Sequence, residues 1–223
     1  MILDQISEIR SSWKISRLKN RPEWQSAERT TNEFISRSTG SRVSFNNRWS
    51  LLENALRMAP ARGDFLEFGV FRGSSLRFIA GAVGPEARVF GFDSFWGLPE
   101  AWVTGGGVVP SGTFRIARPP NPPSNAILIQ GGFERTIPTF VSEVRPSPVF
   151  LHIDSDLYSS ARTVLTGIGP LLGPGTVLVF DEFFGFPGWE RGEARALEES
   201  TKEFGWDVRL FGFANDKVGL ILE

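Results

Sequence analysis

The residues whose types and spacing suit chemistry fall at the ends of short apolar runs. "VFLHIDSDLY", Val149 to Tyr158, closes on Asp154 and Asp156 just after the only histidine of the chain, His152. "TVLVFDEF" closes on Asp181 and Glu182, and "RVFGFDSF" on Asp93. "DFLEFGVFRGSS" carries Glu67, Gly69 and Gly73 ahead of Ser74 and Ser75. If the runs are neighbouring strands, Asp154, Asp181 and Glu182 converge as three hard oxygen donors. Such a set suits a divalent cation, magnesium above all, because magnesium takes few protein carboxylates and keeps several waters.

Glycines at a strand end let a ligand approach the backbone closely, and a helix starting there offers free amide donors. E-x-G-x-x-x-G is not the dinucleotide spacing G-x-G-x-x-G, and alone it fits a tight turn equally well. Asp93 at the next strand end is placed to accept hydrogen bonds from both hydroxyls of a ribose. The two features together point to an adenosine-containing cofactor. The competing role for each acid is a helix cap or turn former, and that is the role expected of Asp156. Strand alternation puts His152 on the face of Asp154 one pleat deeper. A buried neutral histidine bonded to its surroundings is expected there, with a general base as the rival role.

The elements that must position these residues follow an alternation of short apolar runs with helical or loop segments from Gly63 onward, which argues for a parallel α/β sheet. Strands are expected at the runs above and at "AILIQGGF", followed by "WDVRLFG" and "VGLILE" joined by "FANDK" as an antiparallel pair at the sheet edge. Helices are expected at "SSLRFIAGAV", "ERTIPTFVSEV", "SSARTVLTGIGPLL" and "GEARALEESTKEF". In "NNRWSLLENALRMAP" the apolar Trp49, Leu52, Leu56 and Ala59 recur at helical spacing before the stop at Pro60. Residues 1–44 are expected to form a helical cap or lid, with "RTTNEFISRSTGSR" as a mobile connection, and residues 45–223 the main domain. Residues 96–124 are too rich in Gly and Pro for a regular element, and a loop of that length is usually functional. Trp96, Trp102, Phe114, Phe183, Phe184, Phe186 and Trp189 either line a pocket or pack the loops against the domain.

Composition narrows the partners. A formal net charge of -1 with mixed signs leaves no electrostatic footprint for nucleic acid or an anionic membrane. The absence of cysteine excludes disulfides, a thiolate nucleophile and a cysteine-type zinc site. No apolar run reaches the roughly 20 residues of a membrane span. "MILDQISEIR" carries acids where a secretory signal carries bases, so a cytoplasmic location is expected.

In this order, "FLEFGVFRGSS", "GFDSFWGLPE", "GGFERTIP", "LHIDSDLYSSA" and "VLVFDEF" resemble the class I S-adenosylmethionine-dependent methyltransferases. Within them the chain resembles the macrocin O-methyltransferase family over roughly residues 45–223, with "DSFWGLPE" and "HIDSDLY" the most specific phrases. The resemblance implies a Rossmann-like seven-stranded, mostly parallel sheet with helices on both faces and the last strand antiparallel. It implies metal-dependent methylation of a hydroxyl on a small molecule such as a natural-product sugar, with S-adenosylmethionine as cofactor and Mg2+ as metal. Glu67, Gly69, Gly73, Ser74 and Ser75 would then serve the methionine end of the cofactor. Asp93 and Ser94 would serve its ribose, and Gly131, Gly132 and Phe133 its adenine. Asp154, Asp181 and Glu182 fall on the metal positions, with Glu182 one methylene longer than the usual aspartate. Asp154 would also take the hydroxyl proton. The lysine base of catechol-type relatives has no counterpart, because Leu157 stands at its place.

Three alternatives stay open on the sequence. "DSD" after a strand also fits the metal site of a nucleotide-sugar glycosyltransferase, although that leaves Glu67, Gly69, Gly73 and Asp93 unexplained. A nicotinamide oxidoreductase lacks its glycine spacing. A non-catalytic methyltransferase-like binding protein would not need both the Asp93 and Asp154 features. The N-terminal segment makes a homodimer the expected assembly.

Overall fold

The computed structural model describes residues 20–104 and 107–223. Among them the main sheet has eight strands in the order β1-β9-β10-β8-β7-β2-β3-β6. The strands are β1 (Val43–Ser44), β2 (Asp64–Phe68), β3 (Arg88–Asp93), β6 (Ala126–Gln130), β7 (Pro148–Ile153), β8 (Val177–Phe180), β9 (Val208–Ala214) and β10 (Lys217–Leu222). Every pairing is parallel except those of β10 with β8 and β9. Helices α1 (Pro22–Arg37), α2 (Arg48–Met58), α3 (Ser74–Val83), α4 (Phe133–Val144), α5 (Tyr158–Ile168) and α6 (Glu193–Phe204) complete the layers. Two apolar clusters of buried residues fill the space between helices and sheet. Leu66, Phe68, Phe92 and Ile153 belong to one; Phe65, Phe150, Val177 and Val179 belong to the other. Alternate residues of β2, β7 and β8 thus enter opposite cores, which is why these strands carry apolar residues on both faces, broken only by Asp64, Glu67 and His152.

The strand order differs from the seven expected in one addition: Val43 and Ser44 pair with Gly212 and Phe213, so β9 is not an edge. A pair of residues carries too little pattern to be read as a strand. The stretch expected to be a mobile connection is helical to Arg37. Phe34 anchors it, with its ring 5.4 Å from that of Phe183 and 5.8 Å from that of Trp189. The contact spans the whole chain, so local composition could not reveal it. Residues 1–19 of the expected cap, and any subunit contact they make, lie outside the described residues. Within the Gly- and Pro-rich segment, β4 (Trp102–Thr104) and β5 (Gly107–Val109) form a hairpin in place of an unbroken irregular loop. The β-branched residues flanking the glycines supply its strands.

At the amino edge of the sheet, Asp64 is fully buried and accepts from Arg88 Nε at 2.7 Å and Nη2 at 2.8 Å, and from the Ser147 amide at 2.7 Å. This ties β2, β3 and the entry to β7 together at the end away from the carboxylates. The carboxyl edge, where parallel strands release their chain into loops, carries the candidate site.

Candidate active site

A cavity of about 740 Å³ opens at the carboxyl edge, within the range of sites for small ligands and cofactors. Its wall includes Gly69, Ser74 and Ser75 from the β2–α3 turn, Asp93 and Ser94 after β3, and Gly131, Gly132 and Phe133 after β6. Asp154, Asp181 and Glu182 line it as well. Residues from five strand ends therefore meet in one space. Three of the expected residues do not line it: Glu67, Gly73 and His152.

Gly69 explains how closely the turns approach. Its φ is 98°, and a Cβ there would lie 1.8 Å from the Asp154 carbonyl oxygen. Only glycine fits, because the chain needs a left-handed residue and the ends of β2 and β7 touch. Gly73 begins α3 at φ 75° without a side-chain cap, so the first amides of that helix have no side-chain partner.

Asp93 does more than face the cavity. Its Oδ2 accepts from the amides of Val70 at 2.9 Å and Phe71 at 2.7 Å, and its Oδ1 from that of Phe95 at 2.7 Å. Phe71 and Phe95 have φ of 47° and 57°, a backbone region that bulky residues rarely adopt. The carboxylate thus holds two strained turns in place, and a carboxylate with roughly four acceptor sites has about one left for a ribose hydroxyl.

Register places Glu67 opposite His152, and His152 Nδ1 lies 2.9 Å from Glu67 Oε1, both side chains fully buried. His152 Nε2 is 3.6 Å from Asp181 Oδ1, longer than a hydrogen bond. The expectation of a neutral histidine is corrected here. Burial alone would lower its pKa, but Asp181 and Glu67 together outweigh burial and raise it to about 9. His152 lies beneath the site between two acids that favour its charged form, and its ring reaches the cavity only through neighbouring carboxylates. Glu67 Oε2 is buried without a partner.

The carboxylates form two overlapping groups whose donor atoms lie within 4.8 Å of one another: His152, Asp154 and Asp181, and Asp154, Asp156 and Glu182. Asp156 is therefore not the helix cap expected of it. The cap position of α5 is Leu157, with no side-chain cap bond. Asp156 has φ 61°, a turn conformation accessible to aspartate, and joins the cluster instead. Burial first, then Asp154 and Asp181, push its carboxyl up to about 8. Asp154 is raised to about 6 by burial and by Asp181, against the pull of Arg48. Glu182 is raised by burial and by Asp181, Asp156 and Asp154, and its Oε2 is buried without a partner.

Two cations that sequence analysis missed stand beside these acids. Arg48 Nη2 lies 3.3 Å from Asp154 Oδ2 and 3.5 Å from Asp181 Oδ1. Lys217 Nζ lies 3.3 Å from Asp181 Oδ2 and 2.7 Å from Asp216 Oδ1. Although burial opposes ionisation, these two cations and His152 hold Asp181 well below the usual carboxylate range. Lys217 was accessible to topology: it opens an antiparallel strand, which starts at the edge where its parallel neighbours end, and Val218 pairs with Phe180. Arg48 carries no such signal, because it reaches the site from the start of α2. There Asn47 Oδ1 caps the helix by accepting from the amides of Trp49 and Ser50, both at 3.0 Å.

Glu193, the first residue of α6, was missed as well. Its Oε1 accepts from the amide and hydroxyl of Ser155, both at 3.2 Å, and its Oε2 from the Glu182 amide at 3.3 Å. One buried carboxyl therefore joins the loop after β7 to the loop after β8. Burial and Asp156 raise its pKa.

Most of the loop aromatics pack the domain. Phe183, Phe184 and Trp189 are buried against Phe34, and Trp102 lies edge-on to Phe186. Phe114 lines the cavity, 5.7 Å from Phe71, and Trp96 lines an adjoining one.

The acids fit a hard divalent cation on their own chemistry: three oxygen donors close together, mutual repulsion that raises them, and a buried carboxylate oxygen with nothing to accept from.

The calicheamicin methyltransferase CalS11 shares this fold at TM-score 0.62 and 24% identity, over 77% of each chain. The apo structure of CalS11, described as a TDP-rhamnose 3'-O-methyltransferase, aligns at TM-score 0.55 and 24% identity over 77% of each chain. The O-methyltransferase NovP aligns at TM-score 0.58 and 20% identity, over 78% of each chain. No curated protein matches the chain. A family model described as a methyltransferase domain matches residues 66–183, over half of the sequence and the span from β2 to the acids after β8. On that match and this strand order, the chain belongs to the methyltransferase domain family and has the class I S-adenosylmethionine-dependent methyltransferase fold.

Proposed function

We propose that the protein moves a methyl group from S-adenosylmethionine to a hydroxyl of a small molecule, a sugar or other natural-product moiety, with the help of Mg2+. The observation that carries this is the shared cavity: the Asp154, Asp156 and Glu182 cluster lies on the same wall as the glycine turns after β2 and β6. The likeness to CalS11, a TDP-rhamnose 3'-O-methyltransferase, and to the O-methyltransferase NovP supports the choice of a hydroxyl acceptor. A nucleotide-sugar glycosyltransferase and a non-catalytic binding protein have no such support.

When bound, S-adenosylmethionine supplies an activated methyl group and the cation lowers the pKa of a hydroxyl. Asp154 and Glu182 would hold the cation, with Asp156 as a further oxygen donor. Asp181, from the set expected on the sequence, is already balanced by Lys217, Arg48 and His152 and anchors that arrangement. Asp154 takes the acceptor's proton: its carboxylate faces the cavity beside the proposed cation position, where an acceptor hydroxyl would come within its reach. His152 positions Asp181 from below. The turns held by Asp93 would hold the cofactor and so limit the directions from which an acceptor hydroxyl could approach it.

Asp154→Asn should lower kcat at least about 100-fold while the affinity for S-adenosylmethionine, measured by calorimetric titration, stays within about threefold. Wild-type turnover of hydroxylated acceptors should cease in chelator and return with magnesium. Full turnover in chelator would remove the metal from this mechanism.

A further inference from the structure

We propose that Arg48 holds the carboxylate at the methionine end of the cofactor, an inference that rests on the S-adenosylmethionine reading of the cavity. That ligand carries a sulfonium, an ammonium and a carboxylate. Among the described residues, the cavity wall has seven carboxylate side chains and two guanidinium groups, Arg48 and Arg72. The wall is thus suited to the two cationic groups, and only two side chains on it could meet the anionic one with opposite charge.

Arg72 is exposed, with its guanidinium 5.0 Å over the ring of Phe71. Arg48 is enclosed, with its side chain 20% exposed and only Nη2 in contact with Asp154 and Asp181. Its Nε is buried without a hydrogen-bond partner. A buried guanidinium N–H left unpaired costs free energy that a ligand can recover. The planar pair of donors formed by Nε and one Nη matches a carboxylate in bidentate fashion.

Position agrees with chemistry. The β2 turn at Gly69 lies against the Asp154 backbone, and Arg48 pairs with the side chain of the same aspartate. Arg48 therefore lies on the cavity wall beside the turn after β2, and the Asn47 cap fixes the first turn of the helix that carries it.

The test compares two ligands that differ only in the group concerned: S-adenosylmethionine and decarboxylated S-adenosylmethionine. Both are titrated calorimetrically in chelator at about 0.15 M salt, where distant charges are screened. Arg48→Met should weaken S-adenosylmethionine about 10- to 100-fold, the range of a charge-assisted pair, and leave the decarboxylated ligand within about threefold of wild type. Arg48→Lys keeps the charge but not the planar donors, and should show the same difference at about 3- to 10-fold. It carries the test if Arg48→Met does not fold. Equal losses for both ligands would overturn the inference, as would no loss, or an equal ligand difference in Arg72→Met, which would mark a diffuse charge effect. If the wild-type protein bound neither ligand, the S-adenosylmethionine reading would fall and this inference with it.

Discussion

At the scale of single residues, one acid faces the cavity and another ties together the loops around it. Asp154 faces the cavity, whereas Glu193 never reaches it and holds the loops that present Asp154, Asp156 and Glu182. Glu193→Gln keeps one carbonyl oxygen but turns an NH2 group toward either Ser155 or the Glu182 amide, leaving a buried donor unpaired. Such a defect is worth about 1–3 kcal/mol, so kcat should fall about 5- to 100-fold if it displaces the acids. Cofactor affinity should stay within about twofold, because the glycine turns are untouched. Steady-state kinetics beside calorimetric titration checks this, and an unchanged kcat would show that the loops hold without the tie.

At the scale of elements, the carboxyl edge works because separate turns are cross-linked by side chains whose partners lie far away in sequence. Asp93 fastens the turn after β2 to the turn after β3 and keeps Phe71 and Phe95 in left-handed backbone. Asp93→Asn would place an amide donor against backbone donors. A loss of about 1–3 kcal/mol in denaturant unfolding is expected, together with weaker S-adenosylmethionine binding, and stability within about 0.5 kcal/mol of wild type would contradict the role. Helix α1 depends on the same long-range logic, since Phe34 packs on Phe183, Phe184 and Trp189 after β8. That packing holds α1 against the segment after β8.

At the scale of the whole molecule, several buried charges at one edge couple folding to pH. A carboxyl whose folded pKa lies above its unfolded value of about 4 binds its proton more tightly when folded, so its contribution declines as pH rises through the folded value. Those values are about 6 for Asp154 and about 8 for Asp156. His152 acts in the same direction: its stabilisation is complete below about 6.5 and is lost as pH rises through about 9. Asp181, held low, loses its contribution only in strong acid. The melting temperature in chelator should therefore fall between about pH 4 and pH 9, Asp154 acting in the lower part of that range and His152 in the upper. Magnesium should flatten that fall by neutralising the acids, as a ligand that binds the folded state does. Calorimetric melts across the range, with and without magnesium, decide it; a rise with pH in chelator would mean the edge is not over-charged with acid.

The sequence by itself determined the sheet, its layers and the edge that carries the chemistry. Apolar runs of strand length that end in glycine or acid leave few other folds, and parallel strands release their polar residues on one side. Gly69, Asp93, Asp154, Asp181 and Glu182 were legible for that reason. Arg48 and Glu193 were not, because each enters from a helix start whose own pattern says nothing of the site; Lys217 was legible only through the antiparallel direction of β10. Asp156 was misjudged because a cap and a ligand look alike until the backbone at that residue is known. Which acids are balanced, which are left over, and whether His152 is charged depend on through-space distances of a few ångströms between residues scores of positions apart, and only the tertiary structure brings those charges together.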